Sequence, residues 1–287
     1  MIRRCHDVSS VREALSTAPR PLALVPTMGA LHEGHLALLH AAREKVGPRG
    51  TAAISIFVNP IQFDRPGDLF HYPQTLENDL AACEAEGVDL AFIPHADELY
   101  LSDRSILVTE SRLTKHLCGA TRPGHFEGVL TVVLKLFNIL QPDCAIFGKK
   151  DFQQFALINR MVRDLDIPVE IIGHPTIREP DGLALSSRNR KLTPEHRADA
   201  PRIQRALAAA RDLVQTGEQS PAVYLDAAKS HLLSNAPADF SIDYLELVDS
   251  VSLQPIAKLT APATLTTACF YGPVRLIDHT EIVPIIF

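Results

Sequence analysis

Two histidines, His32 and His35, stand either side of Glu33 and Gly34, just where an apolar run gives way to a helical one. Pro21 to Val25 is long enough for one buried parallel strand, and Pro26 and Gly29 break it. From His35 the pattern turns helical, with Leu36, Leu38, Leu39, Ala41 and Ala42 on one broad side before Lys45 and Gly47 end it. Strand, tight loop and helix place a helix N-terminus at the carboxyl edge of a sheet, where an anion can bind. At a spacing of three, both imidazoles share one face of the first turn. Gly34 leaves room for a flat ring or a phosphate chain beside the backbone. Imidazole at the positive end of a helix suits a nucleoside triphosphate, because it donates to charge that builds as pyrophosphate leaves. The alternative is two surface histidines at a helix start, in a chain that carries 12. A zinc-protease arrangement is excluded, since His-Glu-x-x-His needs a separation of four.

Three further stretches carry chemistry. Thr51 to Val58 is a second apolar strand, and Asn59 and Gln62 follow its carboxyl end. Gln62 can both donate and accept, as recognition of a hydroxy acid requires; a loop amide bonding its own backbone is the other reading. Gly148-Lys149-Lys150-Asp151 follows the short strand Cys144 to Phe147 and opens a helix, a second anion site with adjacent lysines, with Asp151 able to cap and Gln154 on the same side. Leu185-Ser186-Ser187-Arg188 offers two hydroxyls and a guanidinium able to grip phosphate oxygens in parallel. The Gly-rich loop Arg122 to Gly128, with Arg122 and His125, either shapes the start of the apolar helix Val129 to Leu140 or walls a substrate pocket. That helix has one interior charge, Lys135.

The elements that must position these residues alternate. A helix over Asp7 to Ala18, one over Thr75 to Glu86, a strand over Asp89 to Pro94 and a last strand over Val169 to Ile177 complete a pattern best solved by a doubly wound α/β domain. Composition shifts at Arg178-Glu179-Pro180-Asp181-Gly182, so the boundary falls at about residue 177, giving domains 1–177 and 178–287. The second is expected to be a smaller α+β lid domain: one long helix from Thr193 to about Val214, another over Pro221 to Leu233, then strands over Phe240 to Val248, Ala263 to Phe270 and Val274 to Ile277.

Composition narrows the class. The 287 residues are 46% hydrophobic, ample for a core, and the net charge of −6 lacks the basic face that a nucleic-acid partner needs. No apolar run approaches membrane-spanning length, and the N-terminus lacks an apolar signal core, so neither a membrane nor secretion is expected. Five dispersed cysteines without a Cys-x-x-Cys pair read as reduced thiols of a cytoplasmic protein.

Taken together, Pro26 to His35, Ser55 to Phe63, Arg122 to Val129, Phe147 to Gln154, Asp181 to Asn189 and Arg275 to Asp278 resemble the signature blocks of the pantoate–β-alanine ligase family, within the His-x-Gly-His nucleotidyltransferase superfamily. The resemblance covers nearly the whole chain. It implies a Rossmann-like doubly wound parallel sheet with a small lid domain, and ATP-dependent condensation of pantoate with β-alanine through pantoyl adenylate. It places ATP against Met28, Gly29, Ala30, Leu31, His32, Glu33, Gly34 and His35, against Gly148, Lys149, Lys150 and Asp151, and against Ile177, Leu185, Ser186, Ser187 and Arg188. His32, His35, Lys150 and Arg188 take the catalytic roles, and Gln62, Gln154 and Asn59 hold the substrate. Mg²⁺ accompanies ATP, no protein metal centre is expected, and a homodimer is implied. Many members have Glu where this chain has Lys149, so the essential lysine is assigned to Lys150. Two alternatives remain open: another nucleotidyltransferase of the superfamily, or a non-catalytic nucleotide-binding protein.

Overall fold

The two apolar runs beside the histidines become the middle of a parallel sheet. A computed structural model describes residues 2–285 apart from 64, 65, 71 and 74. Along the chain run β1 (Arg3–Cys5), α1 (Val8–Ser16), β2 (Leu22–Thr27), α2 (Glu33–Val46), β3 (Thr51–Ile56), α3 (Pro66–Phe70), α4 (Leu76–Ala85), β4 (Leu90–Phe92) and α5 (Ala96–Leu99). Then follow α6 (Leu117–Thr121), α7 (His125–Leu140), β5 (Cys144–Gly148), α8 (Phe152–Asp164) and β6 (Glu170–His174). Helices α9 (Pro194–Asp199), α10 (Arg202–Asp212) and α11 (Pro221–Leu233) precede β7 (Phe240–Asp249), β8 (Ala263–Tyr271) and β9 (Val274–Ile282). No helix among the described residues is long and apolar enough to cross a membrane.

The described chain divides into two compact units. The first takes in Met1–Glu110, Arg122–Lys149 and Gln154–Pro175. Its sheet runs β1-β4-β3-β2-β5-β6, every pair parallel. Strands β2 and β3 are buried on both faces over Leu22–Val25 and Thr51–Ile56, which is why they read as unbroken apolar runs rather than as alternation. Leu38, Leu39, Ala42 and Val46 of α2 pack into the same core as Val25, Ile54 and Ile146. From β2 the strand order steps back through β3 and β4 on one side and forward to β5 on the other. The topological switch therefore lies between β2 and β5, where an open α/β sheet binds its ligand beyond the carboxyl ends. Both lysine and histidine motifs follow those two strands.

Two features of this unit differ from expectation. Strand β1 was not anticipated: three residues, two of them exposed arginines, give no apolar run, yet their backbone pairs with β4 at the sheet edge. Helix α7 begins at His125, four residues before the expected Val129, with Gly124 in a left-handed conformation (φ 79°) turning the chain into it.

The second unit comprises Ser111–Thr121, Lys150–Gln153 and Thr176–Phe287. It adds two short segments to the stretch 178–287. Gln153 ties them together: its buried amide donates to the carbonyls of Leu113 and His116, both at 2.8 Å, and accepts from the Gly119 N–H at 3.1 Å. The three-stranded antiparallel sheet β7-β8-β9 forms a core with α10 and α11 through Leu247, Leu265, Leu276, Ile203, Leu207, Tyr224 and Leu232. The expected single helix from Thr193 to Val214 is two. Pro201 lacks the N–H that would continue the ladder, so α9 stops at Asp199 and α10 restarts at Arg202. All five cysteines are buried and unpaired.

Candidate active site

The loop after β2 owes its shape to a buried carboxylate. Gly29 (φ 81°) and Ala30 (φ 53°) both lie in the left-handed region, the second at some cost for a residue with a Cβ. Asp79, in the first turns of α4 and 4% exposed, accepts from the N–H groups of Ala30 and Leu31, each at 2.9 Å, and from the Thr75 hydroxyl. A side chain at Gly29 would meet the same carboxylate at 3.1 Å and Ile56 at 3.2 Å. Sequence reasoning missed Asp79, because an acidic residue early in a helix is ordinarily there for the helix dipole.

Helix α2 is capped by its two histidines. His32 is the N-cap, and its Nδ1 accepts from the Gly34 N–H at 3.1 Å. His35 Nδ1 in turn accepts from the His32 N–H at 3.4 Å, closing a capping box made of two imidazoles. The rings lie 4.2 Å apart and tilted by 38°. Capping also alters the expected chemistry of this helix end. The N–H groups of His35 and Leu36 already reach the His32 carbonyl. With His32, Gly34, Ala30 and Leu31 also engaged, the backbone donors expected to meet an anion are largely committed within the fold. An Nδ1 that accepts has no proton, so each neutral ring carries its proton on Nε2. In that tautomer the proton each imidazole has to donate is its Nε2–H.

Past β3, a polar network fixes Gln62. Asn59, 1% exposed, donates through Nδ2 to Gln62 Oε1 at 2.9 Å and to the Gly128 carbonyl at 3.0 Å. Gln62 Nε2 lies 3.0 Å from the sulfur of Met28. His125 Nδ1 donates to the Gln62 carbonyl at 2.8 Å, and its Nε2 accepts from Arg122 at 3.0 Å. The Arg122 loop is thus the support of Gln62. Gly128 permits the close crossing, since a Cβ there would sit 2.6 Å from Gln62 Cα and from the Ile61 carbonyl.

After β5 the two lysines diverge. The Lys149 N–H extends the ladder to the His174 carbonyl at 2.8 Å, and its side chain lies over Gly173, where an added Cβ would be 2.8 Å from Lys149 Cε. Lys150 instead lines a small pocket in the second unit, with Ser186, Arg188, Arg275 and Asp278 among its other walls. The Ser186 hydroxyl accepts from the Arg188 N–H at 3.2 Å and caps the turn Ser187–Lys191. Leu185 N–H reaches the Ile177 carbonyl at 3.0 Å, and Arg178 bridges to Ala184, so this loop is a closed hairpin. Arg178 anchors it through paired bonds to Asp278 of β9, at 2.6 and 2.9 Å. Of the other expected residues, Gln154 is half-buried in α8, Asp151 is exposed just before it, and Glu33 is exposed in the first turn of α2.

The chain is similar to known proteins over almost its full length. The family model described as pantoate-beta-alanine ligase matches residues 1–281. A pantothenate synthetase of Akkermansia muciniphila is 52% identical over 91% of this chain and 92% of its own. One from Trichlorobacter lovleyi is 48% identical over 96% of each. Among solved structures, a pantothenate synthetase of Thermus thermophilus superposes with a TM-score of 0.92 at 44% identity, covering 99% of this chain and 100% of that one. The Francisella tularensis ligase, solved with βγ-ATP and β-alanine, superposes at 0.74 with 30% identity over 98% and 97%. A Rossmann-like parallel sheet, a family model matched over residues 1–281 and relatives about half identical over nearly their full length place this chain in the pantoate–β-alanine ligase family.

Proposed function

We propose that this ligase joins (R)-pantoate to β-alanine with cleavage of ATP to AMP and pyrophosphate, and that its residues divide the work as follows. A pantoate carboxylate oxygen attacks the α-phosphorus, pyrophosphate departs, and the β-alanine amine then attacks the acyl carbon of the adenylate and releases AMP. No enzyme nucleophile is needed, so catalysis is positioning and charge neutralisation. His32 and His35 donate through Nε2 to the phosphates. Lys150, Arg188 and the hydroxyls of Ser186 and Ser187 bind the same charge. Met28 to Leu31, Gly148, Asp151, Ile177 and Leu185 shape the nucleotide site. Gln62 and Gln154 hold pantoate, and Asn59 serves by holding Gln62. Lys149 is assigned no catalytic contact.

The observation that carries this reading is the paired capping of α2, which commits both Nδ1 atoms and puts the proton of each ring on Nε2. Mg²⁺ would enter with ATP as part of the substrate, since this ion commonly keeps its waters and bridges phosphates with one or two carboxylates. When bound it neutralises phosphate charge. Buried, unpaired cysteines suit a reducing cytoplasm. The exposed side chains of Leu101, Ile106 and Leu107 suit a homodimer contact, checked by sedimentation.

The test is AMP release from MgATP with D-pantoate, with and without β-alanine. Multiple turnovers only with both substrates are expected. Nucleotide retained on a product would instead identify a transferase of the same superfamily, and bound ATP without turnover a binding protein.

Gly128 provides a separate test of the pantoate side. Gly128→Ala forces Gln62 and Ile61 backbone aside, so pantoate KM is expected to rise by an order of magnitude or more, with a stability loss of about 1–3 kcal/mol typical of overpacking. An unchanged pantoate KM would remove Gln62 from the substrate site.

A further inference from the structure

Lys135 is the one charged side chain of α7 beyond its first turn, and the reaction leaves it without a task. Its ammonium lies 5.9 Å from the centroid of the Tyr100 ring, and the Arg104 guanidinium lies 5.5 Å from the same ring. Phe57, at the end of β3, approaches that ring at 6.1 Å. Three side chains from three parts of the first unit therefore hold one tyrosine in place. The Tyr100 hydroxyl points at Asn59 Oδ1, at 2.9 Å.

Between that hydroxyl and the Gly128 carbonyl, Asn59 orients two amides in series. The Gly128 carbonyl can only accept, so the Asn59 group facing it must be the NH2. Asn59 Oδ1 then faces Tyr100, which must donate. The second Asn59 N–H goes to Gln62, which must therefore turn its carbonyl oxygen towards Asn59 and its NH2 towards Met28. Burial pushes the Tyr100 phenol up from its ordinary range, so it keeps its proton and remains a donor throughout the working pH range.

We infer that Tyr100 is a positioning residue for the hydroxy-acid substrate: together with the Gly128 carbonyl it locks Asn59, and through Asn59 it holds the Gln62 amide in one orientation, one lone pair and one N–H side by side. An α-hydroxy carboxylate offers the complementary pair, a hydroxyl that donates and oxygens that accept. An amide free to flip would present the two in reversed order for part of the time and bind that substrate more weakly. Nothing in the network bears on the phosphates. The inference rests on the assignment of Gln62 to pantoate.

Tyr100→Phe removes the hydroxyl and keeps the ring between its neighbours. Its expected effect is a pantoate KM raised about 3–10-fold, the size of one lost hydrogen bond, with the ATP KM changed by less than about twofold and the melting temperature lowered by only a few degrees, the cost of the Asn59 oxygen left without its donor. Gln62→Ala is measured beside it and is expected to raise the pantoate KM further. In the double variant the tyrosine change is expected to add nothing, because it acts only through Gln62. A pantoate KM unmoved by Tyr100→Phe while Gln62→Ala raises it would overturn the inference alone. Pantoate and ATP KM rising together with a melting temperature lowered well beyond that would overturn it in favour of a structural role, and additive single effects would also overturn it. Gln62→Ala without effect on pantoate KM would overturn the Gln62 assignment and this inference with it.

Discussion

Changing His32 to asparagine is expected to leave the fold as stable as before while lowering kcat by about 10²–10³, the usual consequence of removing one transition-state donor. The two effects separate because the ring does two jobs with two atoms. Nδ1 caps α2 by accepting from Gly34, and asparagine places an acceptor at about the same distance from its Cα. Asparagine is among the best N-cap residues, so the helix loses nothing. It has no atom where Nε2 stands, so the donor to the phosphates is gone. Glutamine reverses the pattern: its amide reaches about as far as Nε2 and restores part of the rate, but caps poorly. Nitrogen NMR of the wild-type protein is expected to show both His32 and His35 as Nε2–H tautomers, since both Nδ1 atoms accept. A His32→Asn enzyme of normal rate would remove this histidine from phosphate binding, and one that unfolds early would show that the cap depends on the ring itself.

The sequence made the parallel core legible for a physical reason. Strands buried on both faces carry no alternation to misread, and β2, β3 and β5 are such strands. Their loops were legible too, because glycine, proline and histidine at a strand end are few and chemically pointed. What could not be read were partners distant along the chain. Asp79 is 49 residues from Ala30, and Tyr100 is 41 from Asn59; no local pattern announces either contact. From the sequence, the histidines are expected to donate to an anion on a helix whose backbone N–H groups help. In the structure those N–H groups are committed to Asp79, to the two Nδ1 atoms and to the His32 carbonyl. The sequence favours Lys150 over Lys149 through the family resemblance, many members having Glu at the Lys149 position, and through its spacing to Asp151 and Gln154. The structure adds that the Lys149 stem lies on Gly173, while Lys150 shares a cavity wall with Ser186 and Arg188. The break between α9 and α10 was carried by Pro201, a signal present in the sequence but outweighed by the helical composition around it.

Replacing Asp278 by alanine is expected to destabilise the second unit by about 3–5 kcal/mol, the cost of removing one partner from a buried ion pair. Asp278 is 4% exposed and Arg178 28%, so the guanidinium left behind remains mostly out of water. The carboxylate also accepts from the His279 N–H at 2.8 Å, a donor that alanine leaves without that bond. On heating, the transition of this unit is expected to fall by on the order of 10 °C. The effect on catalysis follows from where the pair sits. Arg178 begins the hairpin that ends in Ser186, Ser187 and Arg188, and it also donates to the Gly182 carbonyl at 3.0 Å inside that hairpin. Freed from β9, the hairpin presents its hydroxyls and Arg188 in several positions rather than one, so the ATP KM is expected to rise while pantoate binding stays near normal. A second variant keeps stability and positioning apart. Arg178→Met with Asp278→Leu replaces the pair by apolar groups of similar size, an exchange that commonly restores or exceeds the original stability. Its melting temperature is expected to recover while its ATP KM stays high, because neither new side chain can hold the Gly182 carbonyl. Recovery of both together would mean that the ion pair contributes only to the core, and a wild-type melting temperature in Asp278→Ala would mean that the pair is not formed in solution.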